Sequence, residues 1–155
     1  MHSRIFQVSM EPINEHEYIT ESDYYEHWFT REIADYVNEC TDRHSDIEWL
    51  AACYKEKGIS FDSDENGEYF IVTSREKYFE DKFNKFKEAI SKVEKCSLED
   101  FSKGLLNMWF VKDAYEEKFA FYVDADGEVM TFDSFVRGCA VNEKYYIGGT
   151  MDYHW

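Results

Sequence analysis

The sequence predicts a single α+β domain over residues 1–155, an antiparallel sheet of about five to six strands packed with about four helices. Three observations carry that expectation. Strand-like and helix-like stretches follow the order β-α-α-ββ-α-α-ββ-β, which inserts hairpins between helical pairs. Asn66-Gly67 and Asp126-Gly127 are the dipeptides that supply positive φ to tight hairpin turns, and each lies between strand-like runs. An apolar content of 44%, with 19% aromatic residues and one proline, fits one compact globule and leaves no room for an extended linker. A chain of 155 residues buries roughly 70% of its unfolded surface, so stability requires neither a disulfide nor a metal.

Residues 4–10 alternate as a first strand, and Glu11-Pro12 ends it because proline removes a ladder donor. An irregular acidic approach, 13–20, leads to a first helix over 22–40. There Tyr25, Phe29, Ile33, Tyr36, Val37 and Cys40 share one face at about 100° per residue. Thr20 or Ser22 is its N-cap, and Glu21 and Asp23 sit where the helix dipole favours negative charge. Glu32, Asp35 and Glu39 line up beside that face with Trp28, beyond the first turn. Like charges at such spacings cost a few tenths of a kcal/mol per pair, and Arg31 offsets only part.

A second helix, about 46–57, carries Ile47, Leu50, Ala51 and Tyr54 on one face and stops at Gly58. Residues 59–61 and 69–72 form the first hairpin. The third helix opens at Thr73 or Ser74, with Phe79, Phe83, Phe86, Ile90 and Val93 on one face and lysine and glutamate opposite. Ser97 with Asp100 is a capping pattern before a helical segment, 101–115. Leu105, Leu106, Trp109 and Phe110 make that segment the most apolar and place it deep. Residues 119–123 and 128–132 form the second hairpin, 132–136 a short helical turn, and 144–147 a last strand. Gly148-Gly149 then reads as a flexible pair before the tail 150–155.

Charge is the most informative part of the composition. From Glu11 to Glu68 there are 17 acidic residues against Arg31, Arg43, Lys55 and Lys57, whereas 72–117 holds 10 acidic against 9 basic. A net charge of −16 repels nucleic acid and anionic lipid alike, so direct nucleic-acid binding and membrane association are disfavoured and a basic protein surface is the favoured partner. No run of about 18 apolar residues is present to span a membrane. Widely spaced Cys40, Cys53, Cys96 and Cys139, with no apolar leader, point to free thiols in the cytoplasm.

Motifs of chemistry are incomplete. Asp62, Asp64, Asn66 and Gly67 match the opening of a calcium loop, but Thr73 stands where a bidentate glutamate belongs, and a plain hairpin explains the same residues. Asp124, Asp126 and Glu128 belong to a turn signal. Cys40, His44 and Cys53 lack the fourth ligand and the close cysteine pair of a structural zinc site. His2, His16, His27, His44 and His154 sit in no nucleophile-activating context, and there is no glycine-rich phosphate loop. No catalytic residue, metal site or cofactor is therefore expected.

The acidic block remains. Glu21, Glu26, Trp28, Glu32, Asp35 and Glu39, extended by Asp42, Asp46 and Glu48, are the expected partner-binding residues. Duplex DNA carries one charge per about 1.7 Å of axis, a density that several acidic segments together approach, and Tyr18, Tyr24 and Trp28 supply aromatic anchors. The chain resembles, in size, charge and aromatic content, the small acidic inhibitors that phages and mobile elements use against restriction enzymes or CRISPR nucleases. The resemblance implies a non-enzymatic nucleic-acid mimic that blocks a nucleic-acid-binding enzyme, and it carries over no individual positions. The competing expectation is an accessory domain whose charge only keeps it in solution, with a small enzyme or calcium-binding domain third.

Overall fold

The computed structural model describes residues 1–39, 42–104 and 108–155. In chain order these form β1 (His2–Ser9), two 3-10 turns (Glu15–Glu17 and Glu21–Tyr24), α1 (Trp28–Glu32), β2 (Tyr36–Asn38), α2 (Arg43–Tyr54), β3 (Ile59–Asp64) and β4 (Gly67–Val72). They continue as α3 (Arg75–Glu94), α4 (Leu98–Ser102), α5 (Trp109–Tyr115), β5 (Tyr122–Ala125), β6 (Glu128–Thr131), α6 (Phe132–Gly138) and β7 (Lys144–His154). The fold is mixed α+β around one seven-stranded open sheet, in the order β3-β4-β7-β1-β5-β6 with β2 also beside β7. Among the described residues no helix is long and apolar enough to cross a membrane.

The sheet departs from the expected antiparallel one at its centre, where β1 and β5 pair in parallel. A parallel pair needs a long crossover, and everything between β1 and β5 supplies it. Both hairpins form. Asp126 and Gly127, at φ 54° and 85°, make the second turn as expected. In the first, Asp64 pairs with Gly67, so the two-residue turn is Glu65-Asn66 and only Gly67 takes a positive φ.

The larger correction concerns β7. Gly148-Gly149 is not a flexible pair before a tail but the middle of an eleven-residue strand that β1 follows along one edge. The ladder shifts register between Phe6 and Val8, leaving Gln7 opposite the two glycines. This bulge inverts the side-chain alternation. Tyr145 and Ile147 pack on one face of the sheet with Phe6 and Val8, whereas Met151 and Tyr153 pack on the other with Ile5. A Cβ on Gly148 would stand 2.5 Å from the Gln7 Oε1, displacing the amide that bonds the bulge, and one on Gly149 would stand 3.0 Å from the Tyr18 Cβ, so both positions are close-packed. On its second edge β7 pairs with β4 at one end and β2 at the other. Between them the Arg43 guanidinium donates to the Ile147 and Gly148 carbonyls, each at 2.6 Å, in place of a strand.

Each face of the sheet has its own cover. α2, the first turns of α3, and α6 bury Ile47, Leu50, Tyr78, Phe132 and Phe135 against Phe6, Val8, Phe70 and Val123. The second face is covered by the segment expected to be a helix over 22–40. That helix does not form. Glu26 takes a left-handed φ of 62°, the His27 Nδ1 accepts from the Phe29 N–H, and α1 lasts five residues. Tyr36, Val37 and Asn38 then alternate exposed, buried and half-buried as β2. Aromatic and β-branched residues suit such a half-buried strand, and the repulsion that a helical row of Glu32, Asp35 and Glu39 would create is avoided. Cys40, the last residue of that expected face, lies outside the described residues, and so do Leu105 and Leu106.

α3 spans the expected range, with Ser74 as its cap, but Phe83 stays exposed and only Tyr78 and Ala89 are fully buried. The deep helix over 101–115 is not observed. Its described parts are α4, capped by Ser97 and Asp100, and α5, where Trp109 and Phe110 are exposed beside α3.

A candidate protein-binding surface

The cover of the second face, residues 11–39, is an irregular overlay fixed by its apolar members. Tyr24, Phe29, Ala34 and Val37 are buried against Ile5, Tyr122, Met151 and Tyr153. The Phe29 ring meets Tyr122 and Tyr153 edge-on at centroid distances of 4.7 and 5.1 Å. Gln7 clamps the overlay to the bulge: its Oε1 accepts from the Ile19 and Gly149 N–H groups, and its Nε2 donates to the Glu17 carbonyl. Two capping boxes, Asn14 with Glu17 and Thr20 with Asp23, hold the 3-10 turns. The hydrogen bond from Asn14 accordingly lowers the pKa of Glu17.

Those attachments turn most of the acids outward. Glu21, Glu26, Glu32, Asp35 and Glu39 are exposed, and Trp28 retains 42% exposure with its ring tilted on His27 at 5.7 Å. The Glu39 Oε1 accepts from the Glu21 N–H at 2.7 Å, which brings the two ends of the stretch together. Asp35 lies 3.2 Å from the His154 Nδ1, and Tyr36 stacks on the His154 ring. The single Lys or Arg within 11–39 is Arg31, and it is exposed.

The remaining three positions are placed differently. Asp42 caps α2, accepting from the Ser45 and His44 N–H groups, and those bonds, Ser45 first, lower its pKa. Glu48 stands on α2 itself, 3.4 Å from His44, on the helix that covers the opposite face of the sheet. Asp46 is not a surface residue. It is 4% exposed, with the Arg4 Nε at 2.5 Å and the Thr150 hydroxyl at 2.9 Å, and Arg4 also pairs with buried Asp152. It lies on the apolar face of α2 because an internal ion pair needs it there.

A cleft of about 530 Å³ opens where the overlay meets the end of β1 and the β5–β6 turn. Glu11, Glu17, Asp23, Asp124 and Asp126 line it with His27 and Tyr24, and no lysine or arginine does. The Tyr24 hydroxyl donates to Asp124 at 2.9 Å, and burial, with Asp124 beside it, raises the tyrosine's pKa. This arrangement can take a cationic side chain. The turn signal at Asp126-Gly127 accounts for Asp124 and Asp126 locally and carries no sign of this convergence, which arises from tertiary contact.

The calcium-like hairpin is committed elsewhere: Asp64 accepts from the Lys144 Nζ, the Tyr146 hydroxyl and the Asn66 N–H. Among the described residues no group of three His, Cys, Asp or Glu side chains could hold a metal ion, while Cys40 of the weighed zinc set lies outside them. Comparison with protein-family models, curated proteins and solved structures finds no match to this chain.

Proposed function

We propose that the protein is a non-enzymatic binding protein whose acidic overlay and adjoining cleft receive a basic protein surface, that of a nucleic-acid-binding enzyme, which it blocks by occupying the nucleic-acid site. The observation that carries this reading is a division of labour within 11–39: apolar side chains anchor the stretch, while Glu21, Glu26, Glu32, Asp35 and Glu39 are exposed around Trp28. A preorganised charged surface with an aromatic anchor steers association and needs no ordering on binding. Glu26 and Glu32 are the best probes, because both are exposed and neither side chain has a hydrogen bond or ion pair among the described residues. Changing both to lysine is expected to weaken partner capture by about tenfold or more, as like charges replace complementary ones. Capture unchanged in that variant, with the fold intact by circular dichroism, would exclude the overlay as the binding surface.

The competing reading, an accessory domain with merely solubilising charge, is favoured by the structural uses of Glu17, Asp23 and Asp42 as capping residues. It predicts a partner surface elsewhere and no effect of the same two substitutions.

A further inference from the structure

We infer that a second cavity, at the end of the sheet where α2 and α5 approach Trp155, is a binding site for an organic cation of the alkylammonium class. The cavity measures about 520 Å³, within the range of small-molecule sites. Three of the four tryptophans line it: Trp49 from α2, Trp109 from α5, and Trp155 after β7, joined by Tyr54, Phe119 and Phe121. Asp113 and Glu117 supply two carboxylates to the same wall. Aromatic faces attract a cation through their quadrupole, and nearby carboxylates add a Coulombic term that a neutral apolar guest cannot use.

The wall's aromatic rings already engage the protein's own cations. The Arg4 guanidinium stands 5.5 Å from the Trp49 centroid, and the Lys118 ammonium 5.0 Å from Phe119. Arg4 is itself paired with Asp46 and Asp152, and the His2 Nδ1, also in the lining, lies 2.8 Å from Asp152. From the α3 side Lys82 and Lys85 act on Glu117, and Lys82 is paired with Asp133. Burial, and then Asp113 beside it, raise the pKa of Glu117, so its charge is disfavoured in a way that a bound cation would relieve. Trp155 itself is held by stacking on Phe119, with ring centroids 5.0 Å apart, so the wall it forms is preorganised. Among the described residues no three ligating side chains converge there to hold a metal ion.

The test uses the full chain, with choline as the cation and 3,3-dimethylbutan-1-ol as its neutral isostere, followed by tryptophan fluorescence. Choline is expected to bind saturably and about tenfold more tightly than the isostere. Trp109→Ala removes a wall contributed by an exposed residue, so the variant should fold while losing about tenfold in choline affinity. Glu117→Gln should lose several-fold for choline and nothing for the isostere. Equal affinity for the two guests, choline binding unchanged in both variants, or no saturable choline response up to about ten millimolar would overturn the inference.

Discussion

The overlay over 11–39 and the helical arm of α3, α4 and α5 invert the usual link between regular structure and firm attachment. The overlay holds one five-residue α-helix, two 3-10 turns and the three-residue β2 paired with β7, yet Tyr24, Phe29, Ala34 and Val37 are buried and Gln7 ties its backbone to the sheet. The arm contains the longest helix of the described chain but buries only Tyr78 and Ala89 completely, and leaves Phe83, Leu98, Phe101, Phe110 and Tyr115 exposed. It is secured at its base, where Tyr78 and Lys82 meet Asp133 and the Arg137 guanidinium lies over Phe79 and Tyr115. Helical regularity is local, whereas attachment depends on side chains, and in the overlay also on the β2–β7 ladder, that reach the sheet.

The comparison breaks most sharply at Phe29. Phe29→Ala should destabilise the protein by about 3–5 kcal/mol in chemical unfolding, because a fully buried ring is lost between Tyr122 and Tyr153. A cost near zero would mean that the overlay is not fixed to the sheet. Next comes Arg4→Ala, expected at about 3 kcal/mol, since Asp46 and Asp152 would be left as buried carboxylates without their cation. Replacing Asp46 by Asn in the same chain should recover part of that loss.

In the arm the expected effect is far smaller. Phe83→Ser, on an exposed stretch of α3, should change stability by at most about 0.5 kcal/mol and raise solubility. Amide exchange should accordingly be faster in the outer turns of α3 than in α1 and β2, despite the longer helix.

The smallest effect belongs to Glu117. Its residue is exposed, but partial desolvation of the carboxyl, and then Asp113, raise its pKa. The folded protein therefore holds this proton more tightly than the unfolded chain, and the group's stabilising contribution is complete at acid pH and lost as pH rises through the raised value. Glu117→Gln should remove the decline in stability that runs from the ordinary carboxylate range up to that raised value. Choline binding runs the other way, weakening as pH falls through the same titration.

How much of this was legible in the sequence differs between the same two regions. The α+β class, the second hairpin turn at Asp126-Gly127, the Ser97–Asp100 cap and the short helix after Phe132 are local signals, and they appear where local reasoning places them. The 22–40 stretch misled because Phe29, Ile33 and Val37 satisfy a helical period, while pairing of Val37 with Tyr153 at the far end of the chain decides the outcome. Gly148-Gly149 misled for a related reason: Gln7 opposite and Tyr18 close by place two permissive residues in a bulge inside a strand. Asp46 could not be recognised as buried until Arg4 was known to reach it across 42 positions. Of the expected surface, the five acids from Glu21 to Glu39 are exposed on the overlay with Trp28, Glu48 lies with α2 on the opposite side of the sheet, and the acidic cleft emerges only from tertiary contact.

The most direct test of the account is a pull-down from a lysate of the source cell, with this protein as bait, washed at low and at high salt and challenged with duplex DNA. The account predicts capture of a basic nucleic-acid-binding protein that salt releases and DNA displaces, since the exposed charges are screened beyond about 10 Å at 0.1 M ionic strength. A captured partner insensitive to both salt and DNA, and retained by the Glu26→Lys, Glu32→Lys variant, would contradict it.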